Sequence, residues 1–328
     1  MLKILFATDA HGSEVVFRKF LNALKIYGVN VGILMGDLCG KMLYPVVRQP
    51  DGTYESKVLG QQRKARTDDE LRALEKDIAT MGAYYFYTSP EELEELRAEG
   101  KSVRGRIDER AAGISLGAGR IDELFRKAVR ERLARWVELA EERLKGTGIQ
   151  LYVGPGNDDL PEVDEIIEAS PYVVNPNEKK VDLDGYEMIT LAWSTPTPWD
   201  TERECSEEEL QERIDRLVAL IGSMETAIFN MHVPPHGTIL DQAPKLSDKL
   251  VPSTSETVSA GSKAVLDSIK KYEPLLGLHG HIHESKGVIR IGRTTCVNPG
   301  SEYSEGILNA VLLTLDRNRL RYYNMVSG

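Results

Sequence analysis

The chain has 328 residues, enough for one large domain or two modest ones, with a hydrophobic share of 41% and a formal charge of −10. The mildly acidic balance argues against a dedicated nucleic-acid binder, which usually carries a basic patch. No segment reaches the length of a membrane span, and the apolar run at the N-terminus is too short for a signal peptide, so a cytoplasmic protein without a membrane partner is expected. Cys39, Cys205 and Cys296 are scattered, with no CxxC spacing, and read as reduced core thiols.

Ile4 to Thr8 reads as a buried strand, with Asp9-Ala10-His11-Gly12 at its carboxyl end, where ligands gather in layered α/β proteins. Ser13 caps a helix running to about Tyr27, with Val16, Phe17, Phe20, Leu21 and Leu24 on one face. A second apolar run, Val29 to Met35, ends in Gly36-Asp37. Taken alone, D-x-H is equally well explained by a turn aspartate with a capping role, and Gly-Asp is only a turn signal.

Residues 44–147 differ in character. Asp51-Gly52 marks a hairpin tip, and Asp68 to Thr80 and Pro90 to Glu99 read as helices, the second opening with Ser89 and Glu92. A longer helix from Ile121 to Leu144, stopped by Gly146 and Gly148, carries its apolar residues at helical spacing, the mark of a packing face. With no histidine and no metal-ligand spacing, the segment reads as a mostly helical insertion serving as a lid, a homodimer contact, or both.

The core resumes with a strand from Ile149 to Val153, followed by Gly154-Pro155-Gly156-Asn157-Asp158-Asp159. Without the other motifs, this stretch would be an ordinary Asn-Asp turn. A short helix (Pro161 to Ala169) precedes strands at Tyr172 to Asn175, Lys180 to Leu183 and Tyr186 to Trp193, then a helix from Ser206 to about Ile221. The strand Ala227 to Met231 ends at His232-Val233-Pro234-Pro235-His236-Gly237, where the prolines cannot continue the ladder. A loop to Ser259 and a helix from Lys263 to Tyr272 lead to Gly277-Leu278-His279-Gly280-His281-Ile282-His283-Glu284. In an extended segment His281 and His283, at i and i+2, project to the same face. Strands at Gly287 to Ile291, Thr294 to Asn298, Ile307 to Leu315 and Arg319 to Met325 close the chain. All six histidines lie at or close behind the ends of apolar runs, a distribution that looks like a metal site.

In order, D-x-H, G-D, G-N, a strand-terminal His and G-H-x-H resemble the calcineurin-like metallophosphoesterase superfamily, over roughly residues 1–43 and 148–301. Within it, the run His232 to Thr238 with Leu240-Asp241, the Gly277 to Glu284 stretch and Asn298-Pro299-Gly300-Ser301 are similar to the predicted phosphoesterases related to the Icc protein. The resemblance implies an α/β fold, a four-layer α/β/β/α sandwich of two mixed sheets, built from residues 1–43 and 148–328 with 44–147 inserted. It implies two divalent metal ions. Asp9, His11 and His283 would hold the first, Asn157, His232 and His281 the second, and Asp37 would bridge them. Oxygen and imidazole donors without thiolate suit Mn²⁺ foremost, with Fe, Co, Ni or Zn as alternatives. The implied reaction is in-line hydrolysis of a phosphate ester by a metal-bridging hydroxide.

One position departs from the pattern. Asp158 stands where much of the superfamily has a histidine resembling a general acid, and a carboxylate beside two cations should be held ionised. Either His236 or His279 supplies the proton, or the enzyme prefers leaving groups that need little protonation. The Asp-Arg-Gly element of the serine/threonine phosphatase branch is absent after Gly36-Asp37, and the nuclease branch fits poorly without its histidine. A small phosphodiester is the leading substrate class. The alternatives are a phosphomonoesterase and a non-catalytic metal-binding interaction scaffold; the complete ligand set favours an enzyme.

Overall fold

The computed structural model describes residues 1–102, 107–108, 113–114, 119–247 and 250–328. The chain opens with β1 (Leu2–Ala7), α1 (Glu14–Ile26) and β2 (Val31–Met35). Next come β3 (Leu43–Arg48), β4 (Tyr54–Val58), β5 (Gln61–Ala65), α2 (Asp68–Thr80), β6 (Tyr84–Thr88), α3 (Pro90–Ser102), β7 (Ile107–Asp108), β8 (Gly113–Ile114) and α4 (Arg120–Leu144). The chain continues through β9 (Gln150–Gly154), α5 (Glu162–Glu168), β10 (Val173–Val174), β11 (Lys180–Leu183), β12 (Tyr186–Leu191), α6 (Glu207–Val218) and β13 (Ala227–Met231). It ends with β14 (Gln242–Leu246), β15 (Pro252–Ser259), α7 (Lys263–Tyr272), β16 (Leu276–Leu278), β17 (Gly287–Ile291), β18 (Thr294–Asn298), β19 (Asn309–Asp316) and β20 (Arg319–Ser327).

Two six-stranded mixed sheets form the centre, ordered β10-β9-β2-β1-β19-β20 and β11-β12-β13-β16-β18-β17. Central strands such as β2 and β13 are buried on both faces, as expected of sheets covered on both sides. Leu2, Ile4 and Phe6 of β1, with Ile33 and Met35 of β2, meet Met188, Ile228, Leu278 and Val297 of the second sheet. The alternate residues Leu5 and Ala7 turn outward onto Phe17, Phe20 and Leu24 of α1. On the far side, Ile189, Leu191 and Phe229 pack against Leu210 and Ile214 of α6 and Val265 and Ile269 of α7. Helices, sheet, sheet and helices make the four-layer α/β/β/α sandwich that the resemblance implies.

Part of the 44–147 segment belongs to this sandwich. In α4, Phe125, Val129, Leu133, Trp136, Ala140 and Leu144 join the same buried cluster as α1. Trp136 stacks on Phe17 with ring centroids 4.3 Å apart and planes within 1°. Its indole N–H donates to Glu14 Oε2 at 2.8 Å. The helix expected inside the insertion therefore completes an outer layer of the core.

The rest of that segment is less purely helical than expected, because a four-stranded sheet, β5-β4-β3-β6, packs Tyr44, Val46 and Val58 against Leu74 and Ile78 of α2. The expected loop before Ser259 likewise contains an antiparallel hairpin, β14 with β15. All three cysteines are buried and free. Among the described residues, no helix is long and apolar enough to cross a membrane.

Candidate metal centre

β1, β2 and β9 are parallel neighbours in one sheet, and β13 and β16 are parallel neighbours in the other. Their carboxyl ends bring all seven expected metal ligands to one rim. The backbone there is unusual. Asp9, His11, Asp37 and His281 adopt φ values of +53°, +39°, +30° and +67°, in the left-handed region that side chains disfavour. Each such residue costs on the order of 1–3 kcal/mol and persists only where its surroundings over-determine it.

Those surroundings can be named. Asp9 Oδ2 accepts the Thr8 hydroxyl at 2.6 Å and the His281 N–H at 3.1 Å. Ser301 donates to the Asp9 carbonyl at 2.7 Å. The Asn298 amide donates to the carbonyls of Gly280 (3.2 Å) and Ile282 (3.0 Å), while its own oxygen accepts the Gly300 N–H at 2.8 Å. The Asn298-Pro299-Gly300-Ser301 turn is therefore the brace of the G-H-x-H loop. Gly156 allows a close approach, since a Cβ there would collide with Asp37 Oδ1 and lie 2.8 Å from His232 Nε2.

The expectation that His281 and His283 lie on one face of an extended segment is not met. The chain turns at His281, with the Ile282 N–H on the Gly280 carbonyl at 2.7 Å, and the two rings part company. His281 Nδ1 lies 2.8 Å from Asn157 Oδ1, whereas His283 Nε2 lies 3.1 Å from His11 Nε2. One donor set gathers Asp9, His11, Asp37 and His283, with one ligand atom from each, all within 4.8 Å of one another. Beside it, Asn157 Oδ1 is also 3.1 Å from His232 Nε2. Asp37 stands between the two sets, with Oδ2 3.6 Å from His11 Nε2 and Oδ1 3.5 Å from His232 Nε2.

Donor chemistry fits divalent metal ions. Asp9 Oδ1 is buried without a hydrogen-bond partner, a costly state that a cation would relieve. His11 Nδ1 lies 3.2 Å from the Cys39 carbonyl, which can only accept, so the proton sits on Nδ1 and Nε2 offers its lone pair to the site. Burial pushes His11 down to about 3 and His281 to about 4, keeping both in the neutral, ligating form at neutral pH. Burial alone would raise Asp9, but the neighbouring imidazoles of His283, 3.5 Å from Oδ1, and His232 hold it well below the usual carboxylate range.

No family model matches the chain. One solved crystal structure aligns over 98% of both chains with a TM-score of 0.58 at 16% identity. The crystal structure of TT1561 of Thermus thermophilus aligns over 100% of this chain and 98% of its own, with a TM-score of 0.50 and 16% identity. In sequence, the uncharacterized protein MJ1162 of Methanocaldococcus jannaschii is 27% identical over 147 residues, 44% of this chain and 61% of that relative. The chain thus spans less than two thirds of the relative's length. With the sandwich and the ordered motifs at its strand ends, the architecture is decided. The fold is a four-layer α/β/β/α sandwich, the architecture implied by the resemblance to the calcineurin-like metallophosphoesterases.

Of Asp158, His236 and His279, only Asp158 touches the ligand set. Its N–H donates to Asp37 Oδ1 at 3.0 Å, and its carboxylate pairs with Lys41 Nζ at 2.7 Å. Burial and the charge of Asp37 push it up to about 6 against the pull of Lys41. His236 lies on the loop after β13, with Nδ1 3.3 Å from the Gly261 carbonyl and 3.7 Å from Asp241 Oδ2. It makes no hydrogen bond or ion pair to the ligand set among the described residues. His279 is fully buried, with Nδ1 2.9 Å from the Met231 carbonyl and Nε2 beside Gly277 and without a partner. It is a core residue of the second sheet.

Several residues at the site were not foreseen. The Tyr303 ring lies 4.5 Å from that of His11 and 5.8 Å from that of His283. Buried Arg203 donates to the Asp159 carbonyl and pairs with Asp164 at 2.5 Å, bracing the loop that carries Asn157.

Proposed function

We propose that the chain is a dimetal phosphodiesterase acting on a small diester. The observation that carries this reading is Asp37, whose two carboxylate oxygens face two different donor sets. Asp9, His11 and His283 would hold one cation and Asn157, His232 and His281 the other, with Asp37 shared. Two such ions supply Lewis acidity toward the phosphate oxygens and a water of lowered pKa. Manganese suits these oxygen and imidazole donors, which do not select sharply among neighbouring metals.

The protein's own residues set the rest. Neutral His11 and His281 leave the two aspartates as the ligands' only negative charges, so the loaded site carries net positive charge and favours an anionic ester. Asp158, beside Asp37, adds a carboxylate at the rim. A diester carries one negative charge and a monoester up to two, so repulsion from Asp158 weighs more heavily on the monoester. Lys41 offsets part of that charge and draws the Asp158 side chain toward itself.

The test is hydrolysis of a bis-aryl phosphate and the matching mono-aryl phosphate by chelator-stripped protein, with Mn²⁺ added back, beside Asp37→Ala. Metal-dependent turnover of the diester, lost in the variant, is the expected result. Faster turnover of the monoester would make the protein a phosphomonoesterase. No turnover with any divalent metal would leave a metal-binding interaction scaffold.

A further inference from the structure

Between α1, α2, β6 and α4 lies a cleft of about 510 Å³, within the usual range for small-molecule sites. None of the candidate metal ligands lines it. Five bases do: Arg18, Arg72, Lys76, Arg132 and Arg135, against the three acids Glu14, Glu75 and Glu131. Two of the acids are already engaged. Glu14 pairs with Arg18 at 2.8 Å and accepts from the Trp136 indole, and Glu75 accepts from the Tyr87 hydroxyl.

Among the bases, Arg18 pairs with Glu14 and Arg72 with Asp69, and the other three are less well matched. Arg132 is only 4% exposed, deep in the cleft wall. One of its Nη groups donates to the Gly12 carbonyl, but its buried Nε, 3.7 Å from Glu14 Oε2, has no hydrogen-bond partner among the described residues. Lys76 and Arg135 line the same cleft with no hydrogen bond or ion pair from either side chain among the described residues. The buried guanidinium of Arg132 adds positive charge to the cleft wall behind them. The half-buried Tyr85, with Ala79 and Ala128, supplies an apolar wall beside these charges.

We propose that this cleft binds a small organic phosphate. Guanidinium forks match phosphate oxygens in paired hydrogen bonds, and a lysine adds a compact point charge. Arg132, Arg135 and Lys76 take the phosphate, and the organic body lies against Tyr85. The proposal does not depend on the chemistry at the metal centre.

The test uses adenosine monophosphate as the probe, titrated calorimetrically into the chelator-stripped full chain. Wild type and Asp37→Asn are expected to bind it equally, and adenosine is expected not to bind. The double variant Lys76→Gln with Arg135→Gln, two surface substitutions checked for folding by circular dichroism, is expected to weaken binding by about tenfold or more. Arg135→Ala alone gives a second, milder variant and is expected to weaken binding in the same direction. Unchanged affinity in both variants, or no binding at millimolar nucleotide, overturns the proposal. Loss of binding in Asp37→Asn also overturns it, by assigning the nucleotide to the metal centre. Equal binding of adenosine overturns the phosphate assignment.

Discussion

Asp159 Oδ1 accepts the backbone N–H of Cys39 at 2.6 Å, tying together two strand-end loops that lie 120 residues apart. Its Oδ2 accepts from Leu38 at 2.8 Å and from Gly156 at 2.9 Å. One buried carboxylate thus positions both Asp37 and Asn157. Asp159→Ala would leave these buried donors without their acceptor, each costing about 1–3 kcal/mol. The expected outcome is a loss of several kcal/mol in urea unfolding, with metal affinity falling about 10–100-fold. Asp159→Asn, which keeps one acceptor oxygen, should lose less on both measures.

Metal stoichiometry checks the ligand assignment residue by residue. Wild type dialysed against Mn²⁺ should retain about two ions per chain. Asp37→Ala should retain close to none, whereas His283→Ala and His281→Ala should each lose one. Elemental analysis of the dialysed proteins decides this, and equal losses in all three variants would contradict the division into two donor sets.

Rates with a series of aryl phosphodiesters should fall steeply as the leaving group becomes more basic. His279 is fully buried, His236 does not touch the ligand set, and Asp158 is engaged by Lys41. A flat dependence of rate on leaving-group pKa would show that a side chain delivers the proton.

Removal of the Trp136 ring tests whether α4 belongs to the core. Trp136→Ala should cost about 3–5 kcal/mol, the range for truncating a buried aromatic. Trp136→Phe, which keeps a ring over Phe17 and loses only the bond to Glu14, should cost about 1–2 kcal/mol. A change well under 1 kcal/mol in Trp136→Ala would return α4 to the insertion.

Glu14 sets part of the acid limit of stability. Burial would raise it, but the Trp136 N–H, Arg132 and Arg18 together hold it below its ordinary value of 4.5. Its folded pKa lies below the unfolded one, so its contribution is present above about pH 4.5 and is lost as pH falls through the folded value. Glu14→Gln should lower stability at neutral pH by on the order of 1–2 kcal/mol and flatten the acid side of a plot of Tm against pH.

Much of the fold was legible because strong local signals coincide. The helix expected from Lys263 to Tyr272 has those bounds, and the structure adds its cap, Ser262 Oγ accepting from Val265 at 3.2 Å. Continuous apolar runs marked β13 and β16 because both faces of each strand are covered. β5 escaped notice because Gln61 to Lys64 are exposed and only Ala65 is buried, leaving no alternation to read. At the site, the residue types and their order were visible, but the turn at His281 was not. It depends on Gly280, where a Cβ would collide with Asp9 Oδ2, a contact between opposite ends of the chain. The bracing role of Asp159 was obscure for the same reason, because Leu38 and Cys39 lie about 120 residues away.

Asp9, His11, Asp37 and Asn157 come from one sheet, and His232, His281 and His283 from the other. The seam between those sheets is otherwise apolar and non-directional. Ions shared across it would act as rivets at one rim, fastening residue 9 to residue 283 without a covalent link. Their hold would vary with supply, adding about 2.7 kcal/mol when the free ion stands at 100 times its dissociation constant and little when it is scarce. Metal scarcity would therefore loosen this rim first and leave the helical layers packed, making the join between the sheets responsive to the cell's free-metal level.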